Sequence, residues 1–379
     1  SVRFFFGAFA RSASRKASIS LSQRPGLVSP KTGMAVHKMT SQAASIAGKA
    51  KRRFSIRPMS VARMLPIFSS LGSQLNAWPS AWFWLQTAKR LAKTEPMPEA
   101  LAPDDYLPLV RAALAEDIGS GDATTLALVP EDALSTAVMT AREPLVMAGV
   151  DLALASFQEV DERIDFGIEV RDGQDGDFYQ PLLRLQGPTR ALLTAERTAL
   201  NFVQRLSGVA TLTAQFVQQV AGTDVQILDT RKTTPGWRAL EKYAVACGGG
   251  TNHRIGLYDQ VMIKDNHLAA LEGNMAEAIR RARENYPDLK IEAEADTIEQ
   301  AQAAAEAGAD IILLDNMSCD ELRQAVGLIE GRAKTEASGG VTLETVREIA
   351  ETGVDYISVG ALTHSAPSVD IALDFDQLS

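Results

Sequence analysis

The chain has 379 residues, 46% hydrophobic and 22% charged, with a net charge of −9; this length exceeds one ordinary domain and points to two folded units plus a tail. So acidic a total argues against a nucleic-acid partner. Two cysteines, Cys247 and Cys319, are too few for a disulfide framework or a cysteine-held zinc site, and they fit a reducing, intracellular compartment.

The charge is unevenly spread. Residues 1–96 carry 16 Lys/Arg and one acid, Glu95, for +15, whereas residues 97–379 carry 22 and 46, for −24. The first 64 residues are rich in Ser, Arg and Ala, which is how an organellar transit peptide reads; upstream sequence translated ahead of a true start at Met97 explains the same composition. The expected location is accordingly the cytoplasm, or a plastid or mitochondrion if residues 1–96 are a leader. The apolar patch from Leu65 to Leu91 is broken by Ser, Gln, Asn and Pro and falls short of the roughly 20 apolar residues of a membrane span.

From Asp104, apolar Leu107, Val110 and Leu114 predict a helix that glycines 119 and 121 end within EDIGSGDATT. Strand-like runs follow at Thr136–Ala141, Leu145–Ala148, Ile164–Val170 and Leu182–Gln186, with helical spacing over Asp151–Val160 between them. Together they predict an N-terminal mixed α/β sandwich over residues 97–208. Pro188 opens a helix through Leu206 whose apolar positions recur at three and four. Arg197 falls off that stripe and pairs with Glu196 or Glu241 if it is only a surface residue.

Residues 229–267, DTRKTTPGWRALEKYAVACGGGTNHRIGLYDQVMIKDNH, hold six Lys/Arg and two His against four acids. In an acidic body, that local excess suggests a pocket for a polyanion. A solvated basic face is the plainer reading, but the cations are interleaved with apolar runs, and Lys264 ends a strand-like segment. Gly248, Gly249 and Gly250 let backbone approach backbone or a ligand. Cys247 beside them reads as a small packing residue.

Short buried strands at Lys290–Ala295, Ile311–Asp315, Ala333–Ala337 and Tyr356–Val359 then alternate with helices at Ile298–Ala307, Cys319–Ile329 and Leu343–Glu351. A strand start about every 20 residues predicts a parallel α/β barrel over residues 209–365, with 366–379 a candidate to pack back on the first unit. Chemistry in such barrels gathers at the C-terminal strand ends. Those ends carry Glu292 and Glu294, Asp315-Asn316, Ser338-Gly339-Gly340, and Gly360 with His364.

The central string, preceded by ERTALNFVQRLSGVAT, resembles the signature of quinolinate phosphoribosyltransferases, also called carboxylating nicotinate-nucleotide pyrophosphorylases. The similarity runs from about Asp104 to Asp374. It implies transfer from 5-phosphoribosyl 1-pyrophosphate to quinolinate with loss of CO₂, a step of NAD synthesis, and a homodimer, or a higher oligomer built from it, in which Arg197 reaches the partner's pocket. Arg231, Arg254, Lys264 and Arg197, with His253, are then the candidates for the two carboxylates of quinolinate. Lys232 suits pyrophosphate, Glu294 and Asp315 suit ribose hydroxyls and Mg²⁺, and Ser338, Gly339, Gly340, Gly360 and His364 suit the phosphate. Departures are small: Thr335 stands where an apolar residue is expected, and Ala293 and Ala295 replace bulkier strand residues.

Three rivals share parts of this pattern. A phosphoribosyltransferase for another heteroaromatic acid would alter the set Arg231, His253, Arg254 and Lys264. A molybdenum-transport-associated relative shares the fold. A non-catalytic sugar-phosphate-binding module would not need Glu294 and Asp315 together with Lys232. There is no Rossmann fingerprint, so no nicotinamide cofactor is expected.

Overall fold

The computed structural model describes residues 99–375. The extension of residues 1–96, and both readings of it, lie outside the described residues, as do residues 376–379.

The first unit begins with α1 (Pro103–Ile118), which has proline in its first turn, buries Val110 and Leu114, and is ended by Gly119 at φ 52°. One acid of EDIGSGDATT is structural: Asp122 caps α2 (Ala123–Leu128) by accepting the Thr125 N–H at 3.0 Å. Strand β1 (Leu134–Ala141), the β2 pair member (Leu145–Val146), α3 (Val150–Val160), β3 (Asp165–Ile168), β4 (Asp175–Gly176) and β5 (Pro181–Pro188) follow. The main sheet is antiparallel, in the order β12-β1-β5-β3, where β12 (Ile371–Phe375) returns from the far end of the chain. Alternate residues of β1 and β5, among them Ala137, Met139, Leu183 and Leu185, bury against Leu154 and Phe157 of α3 and Leu192, Leu200 and Val203 of α4 (Thr189–Gln219).

Helix α4 (Thr189–Gln219) runs 31 residues, 13 beyond the stop expected at Leu206. Ser207-Gly208 looks like a break but serves packing. A Cβ at Gly208 would stand 2.0 Å from the Pro367 carbonyl oxygen, so glycine admits the returning chain, while Thr211 and Thr213 satisfy their hydroxyls on carbonyls four residues back. The boundary expected at 208/209 thus falls inside a continuous helix.

The second unit comprises β6 (Gln226–Leu228), α5 (Arg238–Cys247), β7 (Val261–Ile263), α6 (Asp265–Ala269), α7 (Met275–Asn285), β8 (Ile291–Ala295), α8 (Ile298–Glu306), β9 (Ile311–Asp315), α9 (Cys319–Ile329), β10 (Lys334–Ser338), α10 (Val346–Ala350), β11 (Tyr356–Ser358) and α11 (Ala361–His364). Its six strands are parallel in the order β6-β11-β10-β9-β8-β7. The first strand therefore pairs with the last, as in a barrel. The ladder is open only between β6 and β7, where Thr251 forms a single parallel bridge to Leu228.

Register decides which residues face inward. Glu294 lies opposite Leu313, Leu313 opposite Glu336, and Asp315 opposite Ser338, so these side chains share one face of the sheet. The alternate set, Ile291, Ala293, Ala295, Ile312, Leu314, Ala337 and Ile357, packs on the other face with Ala301, Ala304, Leu322 and Ala325 of the helices. Ala293 and Ala295 are small because α8 and its neighbours come close there. Thr335 is also explained: its N–H and hydroxyl both donate to Asp355, at 2.9 and 3.1 Å, so the β10–β11 connection needs a hydroxyl where an apolar residue was expected.

Candidate active site

The C-terminal ends of the six strands bring six of the chain's polar positions into one ring: Asp229 after β6, Lys264 after β7, Glu294 on β8, Asp315 ending β9, Ser338 ending β10 and Gly360 after β11. Residues scattered over more than a hundred positions of sequence meet because each strand ends on the same side of the sheet.

The six cations of the central stretch do not all remain available. Lys242 is paired with Asp229, and Lys264 with Glu294. Arg238 donates to the Arg231 carbonyl, the Thr233 hydroxyl and the Ile255 carbonyl, at 3.4, 3.1 and 3.0 Å; it is a clamp between the two cationic loops. Arg231, Lys232 and Arg254 are left with no ion pair among the described residues. Arg231 is half-buried, and its Nε has no hydrogen-bond partner among the described residues. Arg254 reaches only the Gln260 carbonyl (3.2 Å) and the Met262 sulfur (3.4 Å). Burial and the adjacent Arg231 charge push its pKa down. Two adjacent guanidiniums with no ion pair form a site for an anion.

His253 lies behind them. Its Nε2 is 3.1 Å from Glu292 and 3.5 Å from Glu336, two fully buried carboxylates. Burial alone would lower the imidazole pKa, but the two glutamates beside Nε2 and their charge outweigh it and push it up to about 10. The Arg254 N–H, 2.7 Å from Nδ1, acts the other way, because only an unprotonated Nδ1 accepts it. A proton on Nε2 therefore faces the two carboxylates, Glu292 nearer than Glu336. Donor atoms of the three residues lie within 4.8 Å of one another, near enough for a metal ion, yet a protonated Nε2 has no lone pair to give one. Strand-end position alone does not single out Glu336, although a glutamate two residues before Ser338 has the parity of the inward face.

The backbone of His253 is held by the buried pair. Its N–H donates to Asp229 Oδ1 (2.9 Å), and its carbonyl accepts from Lys242 Nζ (2.9 Å). Burial raises the Asp229 pKa and lowers that of Lys242, each opposed by the partner's charge. Removing one partner leaves the other buried without compensation. Lys242→Met is therefore expected to cost about 3–5 kcal/mol, a fall of roughly 10 °C in the thermal midpoint. Asp229→Asn added to it should return much of the loss. A calorimetric midpoint for Lys242→Met equal to wild type would contradict this account.

The glycines divide by role. A Cβ at Gly248 would stand 2.5 Å from the Ala210 carbonyl and one at Gly250 2.8 Å from Thr213, so this turn allows α5 to close on α4 rather than admitting a ligand. Gly339 and Gly340 are exposed at φ 99° and 60° after β10, with Asn316 2.1 Å from where a Gly339 Cβ would be. Gly360 is within contact of Lys232, whose Cδ would be 3.2 Å from its Cβ, and exposed His364 follows one helical turn later. Asp315 accepts from the Asn316 amide at 2.6 Å. Arg197 is not in this cluster: it is exposed on α4, and Glu241, one of its expected surface partners, pairs with Arg205 instead. Cys247 is buried in the barrel core.

Comparison with known proteins agrees with this geometry. Residues 122–207 match the N-terminal domain and residues 209–374 the C-terminal domain of quinolinate phosphoribosyl transferase. A carboxylating nicotinate-nucleotide pyrophosphorylase of Mycobacterium leprae is 48% identical over 276 residues, 70% of this chain and 95% of that protein. A decarboxylating quinolinate phosphoribosyltransferase of Nicotiana glauca, named as mitochondrial, is 41% identical over 307 residues, 76% of this chain and 87% of that protein. The solved structure of the Francisella tularensis nicotinate-nucleotide pyrophosphorylase superposes with a TM-score of 0.70 at 38% identity, covering 75% of this chain and all of that one. The two-unit architecture, the inward-facing strand ends and these matches together place the chain in the quinolinate phosphoribosyltransferase family.

Proposed function

We infer that this chain transfers the phosphoribosyl group of 5-phosphoribosyl 1-pyrophosphate to the ring nitrogen of quinolinate and releases pyrophosphate and CO₂, forming nicotinate mononucleotide for NAD synthesis. The observation that carries the reading is the pair Arg231 and Arg254, adjacent and engaged in no ion pair among the described residues. Two adjacent carboxylates on one small ring fit two guanidinium forks. His253 is held beside them by the Asp229–Lys242 pair, and Lys264 stands at the same rim.

Lys232 and the turns at Ser338-Gly339-Gly340 and Gly360 with His364 suit the phosphate groups of the donor. Glu294 and Asp315 are oxygen donors on neighbouring strand ends and one face, a set that suits Mg²⁺; that ion, carried with the donor, supplies charge neutralisation of the departing pyrophosphate. Lys232 adds a point charge to the same leaving group. As the C1–O bond breaks, the anomeric carbon becomes cationic and the ring nitrogen, fixed by the arginines, attacks it. Positioning and electrostatics account for that step. The alkylated nitrogen then accepts the electron pair left when the 2-carboxylate departs as CO₂, and C2 takes a proton. Incubating the protein with the donor, Mg²⁺ and quinolinate and following CO₂ and the mononucleotide tests the whole assignment; absence of both products rejects it.

A homodimer completes the site in this reading, with Arg197 entering the pocket of the partner. Ile255, Leu257 and Tyr258, exposed beside Arg254, supply the kind of apolar rim a partner covers. None of the described helices is long and apolar enough to cross a membrane. The compartment follows from residues 1–96: a reporter fused behind them stays in the cytoplasm unless they act as a plastid or mitochondrial leader. Every proposed ligand lies beyond Asp104, so residues 97–379 alone should keep wild-type kcat/KM within about twofold, a difference of under about 0.5 kcal/mol. A folded but inactive truncation would assign the extension a part in the site.

A further inference from the structure

We propose that Arg205 is a positioning residue for the phosphoribosyl donor: from helix α4 it locks together the two segments, residues 232–234 and 360–366, that hold the donor's anionic groups. The proposal rests on the donor-site reading of Lys232 and Gly360.

Arg205 lies outside the ring of strand ends, yet its fork binds both sides of that part of the site. One terminal nitrogen donates to Glu241 Oε1 at 2.8 Å and to the Thr363 carbonyl; the other donates to the Ala366 carbonyl at 2.6 Å. Glu241 is fully buried and spends its remaining capacity on one residue, accepting the Thr234 N–H at 3.0 Å and the Thr234 hydroxyl at 2.9 Å. Thr363 in turn donates its hydroxyl to the Lys232 carbonyl at 2.7 Å. Two chains of contacts therefore run from one guanidinium to the loop that carries Arg231 and Lys232. The third anchors the segment after Gly360, where the backbone passes within contact of the Lys232 side chain. Only a planar donor with two terminal nitrogens spans a carboxylate and two carbonyls on different elements. The neighbouring Gln204 bonds only the returning chain, donating to the Ile371 carbonyl at 2.8 Å and accepting from the Val369 N–H, so it makes a structural tie of similar kind without touching the loop.

The test uses the full-length protein and separate KM values for 5-phosphoribosyl 1-pyrophosphate and quinolinate. Arg205→Met should raise KM for the donor roughly tenfold or more, by misplacing Lys232, and leave KM for quinolinate within about threefold. Arg205→Lys keeps a charge opposite Glu241 but loses the fork; it should shift the donor KM less and in the same direction, and it carries the test if Arg205→Met does not fold. Gln204→Ala should leave both KM values unchanged. Because Arg205 acts through Lys232, adding the Arg205 change to Lys232→Ala should raise the donor KM little further. Equal factors in both backgrounds, or parallel shifts of both KM values, overturn the proposal. A raised donor KM in Lys232→Ala with a normal one in the Arg205 variants overturns it alone; a normal donor KM in Lys232→Ala overturns the donor-site reading and the proposal with it.

Discussion

Quinolinate should be used at least about a thousandfold more efficiently than nicotinate, measured as kcat/KM. The difference between the two acids is one carboxylate, and the site has two guanidiniums without an ion-paired acid among the described residues: Arg231, with a buried Nε that makes no hydrogen bond among them, and Arg254, whose pKa burial and Arg231 push down against the opposing charges of Glu292 and Asp259. A diacid neutralises both as it binds. A monoacid covers one and traps the other out of water, at a cost of several kcal/mol for a buried charge left unpaired. The middle of the range for such a loss, about 4 kcal/mol, sets the ratio, since every 1.36 kcal/mol is a factor of ten. Converting Arg254 to Met removes the excess charge, so the same variant should lose quinolinate turnover and narrow the gap between the two acids. Comparable turnover of nicotinate and quinolinate by the unmodified enzyme would falsify the diacid pocket.

Much of the barrel is legible because its strands are apolar runs of regular spacing. Ile311–Asp315 and Cys319–Ile329 appear in the structure with the bounds read from sequence, and β8, β10 and β11 begin within a residue of theirs. What the spacing does not convey is which charges cancel. Lys242 and Lys264 enter the sequence as part of a cationic surplus, yet Asp229 and Glu294 neutralise them from positions 13 and 30 residues away. No local rule pairs them, since the contact is made by strand order. The same holds for His253 with Glu292 and Glu336, brought together from a loop and two separate strands. Gly248 and Gly250 mislead for another reason: a glycine that admits a helix and one that admits a ligand look alike until the neighbouring atoms, here Ala210 and Thr213, are known. In the sequence α4 reads short because Ser207-Gly208 is a fair stop signal, and only the approach of Pro367 explains why glycine sits inside a helix there.

Arg197→Ala and Lys264→Ala should each be nearly inactive, and a mixture of the two proteins should recover about a quarter of wild-type activity. In the structure, Arg197 is exposed on α4 and makes no ion pair or hydrogen bond among the described residues. Eight residues further along the same helix, a distance of about 12 Å, Arg205 does engage its own barrel loop. An exposed arginine that its own chain leaves without an ion pair among the described residues, on a 31-residue helix, is available to serve another copy. If it does, a mixed dimer contains one site with both lesions and one with neither, because Arg197 and Lys264 of any one site come from different chains. After subunit exchange of equal amounts, half of the dimers are mixed and each has one intact site of two, which sets the recovery at about one quarter for two-fold symmetry. Lys264 is a suitable partner lesion: its pair with Glu294 is close to half exposed on the lysine side, so its loss costs little stability and the inactive parent should stay folded. If Arg197 serves its own pocket, each site in every dimer keeps one lesion and nothing returns. A tagged subunit confirms that exchange occurred, so activity that stays at the level of the parents in verified mixed dimers assigns Arg197 to its own chain and removes the shared site.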